Sequence, residues 1–415
     1  MNITGVIAEY NPFHNGHAYH LSCAKKKTNA DFLIVVMSGN FVQRGTPALL
    51  DKSTRAKMAL LGGADLVIEL PPLWSSASAQ YFASAAVSLL AQLGCVHSLC
   101  YGCESPDSAL FSIIAKIIAK EPDEYRQLLT GFLKEGASYA SARQKTLVQL
   151  LPEHETDAVT QLLDTPNNIL ALEYTKAAFD IHASINLCPI MRKGAGYHSK
   201  NVTDSFSSAT AIRKFLASRA DSSLLPIKHA LPDHTYHLLS HYQDSCPFIF
   251  SNNLSQMVHY CLLKNKDSGF RHFADCTPDL SNKICRHLND YTDFDSFCMM
   301  LKSKNTAYTR ISRVLLHILL DIHMEDYTFW RSHSYIPYAR ILGFRKSATN
   351  LLTQLKRHSS IPLFTRASAS NKILSEQSMK FFQKHLFADS IYRALTMEKG
   401  SPYVPDEYRR QLIII

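Results

Sequence analysis

The chain has 415 residues, of which 46% are hydrophobic and 19% are charged, a balance that excludes a disordered or a fibrous protein. Its length predicts two to three domains. The formal net charge is +9 and uneven, because residues 1–216 carry 19 Lys and Arg against 18 Asp and Glu, whereas residues 217–415 carry 25 against 17.

The first half of the chain alternates short apolar segments with longer helical patterns. Asp31–Met37 is apolar almost throughout, as expected for a parallel strand that is buried on both faces. Asp51 or Ser53 is placed to cap the helix that follows. Strands separated by helices of this length predict a parallel sheet built from β–α–β units. The predicted strands are Thr4–Ala8, Asp31–Met37, Asp65–Leu70, Val96–Tyr101 and Leu187–Met191.

After the fourth strand the pattern becomes mostly helical. Asp107–Ala177 has a helical pattern, and a capped helix start is predicted at Ser207–Leu216. From there to the C-terminus helical runs such as Asn305–Asp321 predominate. We place a domain boundary near the polar segment Asp221-Ser222-Ser223, so that residues 1–216 form one domain and residues 217–415 a second, mostly helical and basic one.

The loop between the first predicted strand and the first predicted helix has the pattern of a phosphate site. Asn11-Pro12 breaks the chain, and the helix begins at His14-Asn15-Gly16-His17. Free N–H groups and the positive dipole end of a helix attract anions, and Gly16 allows close approach of the backbone. His14 and His17 point to the same side and can donate hydrogen bonds to an α-phosphate.

This HxGH pattern after a first strand predicts a Rossmann-like, parallel-sheet nucleotidyltransferase domain of the α/β class, with His14 and His17 as catalytic residues. A metal-binding pair or two structural histidines are the alternatives. No metal site formed by the protein is predicted.

A second hydroxyl-rich segment begins a helix further along the chain. Ser207, Ser208 and Thr210 lie close to Arg213, an arrangement that suits the β- and γ-phosphates of ATP and the leaving pyrophosphate. Alone this segment would be an ordinary helix cap. Its occurrence together with HxGH favours the phosphate interpretation.

Four smaller features follow predicted strands or precede helices. Gly102 comes after the fourth strand, at the edge of the sheet where ligands bind in such folds. Either Asn167 or Asn168 caps a helix or contacts the nucleotide, and Arg192 follows a strand and can neutralise phosphate charge. Ser38–Arg44 either closes over a second substrate or is a surface loop.

The second half contains three basic clusters in which cations alternate with aromatic and hydroxyl side chains: Lys302–Arg313, Arg340–Lys346 and Lys356-Arg357-His358. Cations meet phosphates and rings stack on unpaired bases, so this composition suits RNA. Each cluster alone also fits a solvated helix face, but together, in a half with net charge 25 − 17 = +8, they favour RNA binding. The candidate tRNA-binding residues are Lys302, Lys304, Arg310, Arg313, Arg345, Lys346, Lys356 and Arg357.

The sequence also bears on location. No signal-type segment opens the chain, and no apolar stretch approaches the ~20 residues of a membrane span. The ten cysteines show no disulfide spacing, and Cys100-Tyr101-Gly102-Cys103 is a lone CxxC. We expect a cytoplasmic, reduced protein.

These segments together resemble the bacterial tRNA(Met) cytidine acetate ligase family along nearly the whole chain. NPFHNGH combined with SGNFVQRG is more specific than HxGH alone. The segments that carry the resemblance are Ile3–His20, Val36–Arg44, Asp65–Pro72, Thr165–Tyr174, Arg192 to Tyr197-His198, Ser207–Arg213, Tyr308–Leu320 and Tyr338–Phe344.

The resemblance implies a cytoplasmic ligase that consumes ATP and acetate, forms acetyl-adenylate and pyrophosphate, and passes the acetyl group to the wobble cytidine of elongator tRNA(Met), giving N4-acetylcytidine. By the same resemblance, the ATP-binding residues are Ile7, Ala8, Glu9, Tyr10, Asn11, Pro12, Phe13, His14, Asn15, Gly16, His17, Ala18, Tyr19, His20, Gly102, Asn167 and Arg192. Mg²⁺ is expected to bridge the phosphates, although no aspartate in the sequence stands out as its ligand.

Two other functions remain open at this stage. One is a small-molecule nucleotidyltransferase, or an enzyme that adenylates another carboxylate. The other is an RNA-binding protein whose nucleotide site is inactive. The residues by themselves favour a phosphate-handling loop, a β–α sheet and a basic second half, whereas acetate and cytidine rest on the resemblance.

Overall fold

The structure is a computed structural model that describes residues 1–104, 108–193, 205–218, 223–397 and 405–415. Five residues named above lie outside the described residues: Asp107, at the start of the predicted helical region, Tyr197 and His198 of the family-like segment, and Asp221 and Ser222 at the expected domain boundary.

Ten strands are found among the described residues, and eight of them form one sheet. The sheet has the order β10-β8-β5-β2-β1-β6-β7, with β9 paired to β8. The strands are β1 Ile3–Ala8, β2 Phe32–Ser38, β3 Phe41–Val42, β4 Thr46–Pro47, β5 Leu66–Leu70, β6 Ser98–Cys103, β7 Asn186–Met191, β8 Ala339–Phe344, β9 Leu363–Phe364 and β10 Ile413–Ile414.

Helices make up most of the remaining described chain. The predicted helical region after the fourth strand is confirmed as α5 to α9. The helices are α1 Asn15–Lys27, α2 Lys52–Leu61, α3 Pro72–Ser75, α4 Ala79–Gln92, α5 Ser108–Lys120, α6 Asp123–Lys134, α7 Tyr139–Leu150, α8 Thr156–Asp164, α9 Pro166–Asp180, α10 Ala209–Ser218, α11 Asp233–Ser245, α12 Ser255–Asn265, α13 Pro278–His287, α14 Phe294–Leu301, α15 Tyr308–Leu319, α16 Met324–Ser332, α17 Thr349–His358, α18 Ser370–Ile373 and α19 Glu376–Met397.

The five predicted strands form the parallel part of the sheet, which confirms the predicted α/β class. β1 lies between β2 and β6 and is parallel to both. Successive residues of β2 point to opposite faces: Leu33 and Val35 join one buried apolar cluster, and Ile34 and Val36 join the other. Because helices cover both faces, the strand is apolar throughout.

The second half of the chain contributes to the same sheet. β8 pairs antiparallel with β5, with Val67 opposite Gly343, and β10 and β9 each pair with β8. The prediction of a mostly helical second half did not include these strands. The division at 216/217 stays a prediction, and the sheet extends across it.

A buried ionic cluster joins residues from the two halves of the chain. Lys52 at the start of α2 places its Nζ 2.7 Å from Glu69 Oε1 and 3.1 Å from Glu407 Oε2, and it also pairs with Asp389. Arg340 of β8 pairs with Glu407. Burial alone would raise the pKa of Glu69, but the charges of its cationic neighbours hold that pKa well below the usual range.

The same cluster contains a set of groups that could ligate a metal. Possible ligand atoms of Glu69, His385 and Asp389 lie within 4.8 Å of one another. The ammonium group of Lys52, however, contacts both the Glu69 and the Asp389 carboxylates. Lys52 therefore supplies the positive charge that these buried carboxylates require.

Candidate active site

The loop that follows β1 is anchored by side chains that point away from solvent. Asn11 is buried, and its Oδ1 accepts a hydrogen bond from the Leu49 backbone N–H at 2.8 Å. Phe13 is fully buried and packs so closely on Gly62 that a Cβ there would lie 2.3 Å from the ring. Asn11 and Phe13 therefore hold the loop in place, while the residues after them face the ligand side.

His14 and His17 lie together at the start of α1. Their rings stack with centroids 3.8 Å apart. Nδ1 of His14 accepts the Gly16 backbone N–H at 3.0 Å, and Nδ1 of His17 accepts the His14 backbone N–H at 3.3 Å. A neutral imidazole whose Nδ1 accepts a hydrogen bond carries its proton on Nε2. Each ring therefore keeps an Nε2–H donor for a ligand.

The electrostatic surroundings keep these rings neutral. Burial lowers the pKa of His14 to about 3, and the positive charges of Arg192 and Arg213 act in the same direction. Burial also lowers the pKa of His17 well below its usual range, and that of His20 to about 4. The histidines are therefore neutral hydrogen-bond donors at neutral pH, and the arginines carry the positive charge.

Gly16 is required by the position of the His14 ring. A Cβ on Gly16 would lie 2.9 Å from Cε1 and 3.1 Å from Nδ1 of that ring. These distances are shorter than an ordinary carbon contact of about 3.5–4.0 Å. The glycine of HxGH thus leaves room for the imidazole.

A cavity of about 220 Å³ opens at the carboxyl ends of β1, β6 and β7. This is the edge at which ligands bind in open parallel sheets. Twelve of the predicted ATP-binding residues line it: Ile7, Ala8, Glu9, Tyr10, His14, Gly16, His17, Tyr19, His20, Gly102, Asn167 and Arg192.

The structure distinguishes between the two candidate asparagines. Asn168 is buried, and its Oδ1 accepts the Glu104 backbone N–H at 2.8 Å. Asn167 lines the cavity, where its Nδ2 donates to Glu104 Oε1 at 2.7 Å and its Oδ1 accepts from Arg192 Nη1 at 3.4 Å. Asn167 and Arg192, which are 25 residues apart in sequence, thus form one polar wall.

The other predicted ATP-binding residues do not line this cavity in the described structure. Asn15 is among them, and its Nδ2 bonds to the backbone oxygens of Ser205 and His229, each at 2.9 Å. The hydroxyl of Ser208 accepts the Ala211 N–H at 3.2 Å, as a helix cap does. The residues outside the lining are Asn11, Pro12, Phe13, Asn15, Ala18, Ser207, Ser208, Thr210 and Arg213.

Arg213 nevertheless lies close to the catalytic loop. Its Nη1 donates to the backbone oxygen of Asn11 at 2.6 Å, and its Nη2 lies 3.2 Å from Thr210 Oγ1. Its charge is one of the causes of the low pKa of His14. The hydroxyl-rich segment therefore positions a cation beside the HxGH loop, and direct phosphate contact stays a prediction.

Sequence reasoning did not predict several apolar and aromatic residues of the cavity. In the sequence they have the pattern of strand and helix core positions, because alternation in a strand and helical periodicity look the same whether a side chain meets protein or ligand. The additional apolar and aromatic lining residues are Tyr101, Leu170, Tyr174, Ile190, Met191 and Phe206, and Lys193, next to Arg192, also lines the cavity.

Residues 1–403 match the sequence model of the HIGH Nucleotidyl Transferase family. The tRNA(Met) cytidine acetate ligase of Clostridium kluyveri is 41% identical over 88% of this chain and 90% of its own length. That of Halothermothrix orenii is 34% identical over 99% of this chain and 97% of its own. The chain belongs to the tRNA(Met) cytidine acetate ligase family. The resemblance found in the sequence is thereby confirmed.

Solved structures extend the similarity to the complete fold. Thermotoga maritima TmcAL in its apo form superposes with a TM-score of 0.94 at 29% identity, covering 100% of both chains. The same protein bound to alpha-thio ATP gives a TM-score of 0.91, covering 100% of this chain and 99% of that one. The second half, including β8 to β10, is therefore part of the fold that the two proteins share.

The basic candidates of the second half fall into two groups. Arg313 is buried and pairs with Asp275 at 2.8 Å, and Arg310 also bonds to Asp275. Arg345 donates from Nε to the backbone oxygen of Leu60 at 3.0 Å. These three arginines hold elements of the fold together. The exposed group consists of Lys302, Lys304, Lys346, Lys356 and Arg357.

The described helices also bear on the predicted location. None of them combines the length and the apolar composition that crossing a membrane would require.

Proposed function

We propose that this chain activates acetate with ATP and transfers the acetyl group to the wobble cytidine of elongator tRNA(Met) in the cytoplasm. The single observation that carries the adenylation step is the pair of neutral histidines, each with an Nε2–H donor, at the edge of a cavity that Arg192 and Lys193 also line. Acetate and cytidine follow from the names of the relatives.

In the first step a carboxylate oxygen of acetate attacks the α-phosphorus of ATP. The bond from that phosphorus to the bridging oxygen breaks, and pyrophosphate leaves. Negative charge grows on the α-phosphate oxygens, where the Nε2–H groups of His14 and His17 can stabilise it. Because the attacking acetate is already deprotonated, this step requires no proton transfer, and the neutral rings need contribute only hydrogen bonds.

In the second step the N4 amine of cytidine attacks the carbonyl carbon of the mixed anhydride. The bond to AMP breaks and AMP leaves, the amine releases one proton to solvent, and an amide forms. The aromatic and apolar wall of Tyr101, Tyr174 and Leu170 would hold the adenine and exclude water from the anhydride.

Mg²⁺ is part of the proposal, since it commonly neutralises triphosphate oxygens and is bound through few protein ligands. Among the described residues that line the cavity, Glu9 is the one carboxylate. We propose Glu9 as the residue that would hold the ion or its water shell.

Acetate-dependent exchange of labelled pyrophosphate into ATP tests the adenylation step. The wild-type protein should catalyse exchange, and the His14→Ala/His17→Ala double variant should lose about 1,000-fold or more. His154→Ala, at an exposed histidine, is the matched control and should keep full activity. Exchange that survives in the double variant would refute the catalytic assignment, and exchange that requires a different carboxylate would favour the small-molecule alternative.

Mass spectrometry of tRNA(Met) nucleosides after incubation with ATP and labelled acetate tests the transfer step. Label should appear in N4-acetylcytidine. Exchange without any labelled nucleoside would show that the activated acyl group goes to another acceptor.

The exposed cations Lys302, Lys304, Lys346, Lys356 and Arg357 are proposed to contact tRNA phosphates. The Lys356→Ala/Arg357→Ala variant should weaken tRNA binding and reduce the salt slope by about 0.7–0.9 for each lost phosphate contact. Arg126→Ala/Lys134→Ala on α6 removes two other exposed cations and should leave binding unchanged. Equal loss in both variants would indicate a general charge effect.

A further inference from the structure

A second cavity, of about 190 Å³, lies next to the catalytic loop and shares no lining residue with the cavity described above. Four segments that are distant in sequence form it: the β3–β4 hairpin, α10, residues 249–251 and the start of α15. We call it the Arg44 cleft. The residues used below are Arg44, Arg213, Phe250, Ser251, Tyr308 and Thr309.

The walls of the Arg44 cleft are held in fixed positions. Gly45 has φ +76° and packs so tightly on α15 that a Cβ would lie 2.4 Å from the Arg313 backbone nitrogen. The Ser312 hydroxyl donates to the Gly45 backbone oxygen at 2.9 Å. The hairpin that carries Arg44 is thus attached to a helix of the second half, and it is not a free surface loop.

The polar groups of the cleft are also oriented. Asp295 accepts hydrogen bonds from the Ser251 hydroxyl at 2.9 Å and the Tyr308 hydroxyl at 2.6 Å. Thr309 lies beside them in the first turn of α15. Phe250 adds a half-buried ring to the same cavity. The cleft therefore combines positive charge, oriented hydroxyls and the aromatic rings of Phe250 and Tyr308.

Arg213 connects the cleft to the reaction centre. Its Nη1 is bonded to Asn11 of the HxGH loop, and the same side chain lines the cleft. Burial lowers the pKa of Arg213 to about 10; the charge of Glu9 opposes this shift, and the nearby charge of Arg44 adds to it. Two guanidinium groups therefore line one partly buried cleft, and guanidinium groups suit the oxygens of a phosphate.

We propose that the Arg44 cleft binds the sugar and phosphate of the RNA nucleotide that is presented to the acyl-adenylate. Arg44 and Arg213 contact its phosphate, the Ser251, Tyr308 and Thr309 hydroxyls face the ribose, and Phe250 stacks on an unpaired base. Arginine suits phosphate, hydroxyl groups suit the ribose 2′-OH, and rings suit unstacked bases. The proposal rests on the proposed function, because it assumes an RNA acceptor.

Arg44 and Arg213 could instead contact the pyrophosphate end of ATP. The variant Arg44→Gln distinguishes an RNA phosphate from an ATP phosphate. Arg44→Gln should leave acetate-dependent pyrophosphate exchange within about two-fold of wild type, because that reaction needs no RNA. The kcat/KM for tRNA acetylation should fall about 10-fold, and the log–log salt dependence should become shallower by about 0.7. Arg126→Gln, at an exposed arginine on α6, is the matched control and should change neither reaction.

Two outcomes would overturn the proposal. Exchange and acetylation falling together would assign the cleft to ATP or pyrophosphate, and unchanged acetylation would show that the cleft is not used. Phe250→Leu provides a second measurement that removes the ring without removing charge. It should raise the KM for tRNA about five-fold or more while exchange persists. Unchanged KM in this variant would exclude base stacking in the cleft.

Failure of the proposed function is distinguishable from failure of this inference. A wild-type protein without acetate-dependent exchange, or without transfer to tRNA, would contradict the function itself. A wild-type protein with both activities, beside an Arg44→Gln variant that retains full transfer, would contradict only the assignment of the cleft.

Discussion

The close contact between Gly16 and the His14 ring makes Gly16→Ala a sharp test of the catalytic geometry. The new Cβ would lie 2.9 Å from Cε1 of His14, whereas carbon atoms in contact are about 3.5–4.0 Å apart. The ring must therefore shift by about 0.5 Å or more, which weakens the bond from the Gly16 N–H to Nδ1 and redirects the Nε2–H donor.

The expected effect is large on activity and small on stability. A displacement of about 1 Å at a catalytic group costs about 100-fold in rate, so acetate-dependent pyrophosphate exchange should fall between about 30-fold and 100-fold. Alanine is favoured over glycine in helices by about 0.5–1 kcal/mol, which offsets part of the steric cost. The free energy of unfolding, measured by urea denaturation, should therefore change by no more than about 1 kcal/mol.

Gly131→Ala in α6 is the matched control. A Cβ at Gly131 would meet no atom within 4 Å, so this variant should keep full exchange activity and gain about 0.5–1 kcal/mol in stability. Full exchange activity in a folded Gly16→Ala variant would refute the argument that the His14 ring must remain in its observed position.

Three further predictions concern stability. Lys52→Met removes the cation that lies nearest the buried Glu69 and Asp389 carboxylates and leaves Arg340 as their remaining guanidinium partner, so urea denaturation should show a loss of about 3–5 kcal/mol in the free energy of unfolding; an unchanged midpoint would contradict this. Gly45→Ala places a Cβ against the backbone of α15 at a residue with positive φ, so it should lower the free energy of unfolding by about 2 kcal/mol or more. An unchanged or increased stability would show that the hairpin can move. Because the pKa of His14 is about 3 in the folded protein and about 6.5 when unfolded, only the unfolded chain gains that proton between these values, and stability falls as the pH falls. Between pH 6.5 and pH 5 the free energy of unfolding of the wild type should fall by about 2 kcal/mol more than that of His14→Gln. Equal decreases in the two proteins would exclude the low pKa of His14.

The sequence determined the parts of the site that depend on local structure. An apolar strand, a chain break at Asn11-Pro12 and a helix that begins with His14 and contains Gly16 are readable from a few neighbouring residues. The same holds for Gly102 and Arg192, because the ends of parallel strands meet at one edge of the sheet, and both residues line the cavity. The sequence also offered Asp51 or Ser53 as the cap of α2, and the structure has Asp51 at that position.

Tertiary structure decided which of the remaining polar residues face a ligand and which hold the fold. The pattern around Arg345 and Lys346 resembles an RNA-binding cluster, yet Arg345 bonds to the Leu60 backbone, and β8 just before it pairs with β5. Arg313, in a similar basic run, is buried against Asp275. Their partners lie 38 or more residues away in sequence, so no local pattern distinguishes a buried arginine from one that awaits a phosphate.

The Arg44 cleft is an example of a cavity that the local sequence did not reveal. The sequence left the Ser38–Arg44 segment open between a surface loop and a contact for a second substrate. Only the packing of Gly45 on α15, and the arrival of Arg213 from α10, place two guanidinium groups in one cavity. A sequence specifies such a cavity only through long-range packing, because each wall is an ordinary helix start or turn until the others are brought beside it.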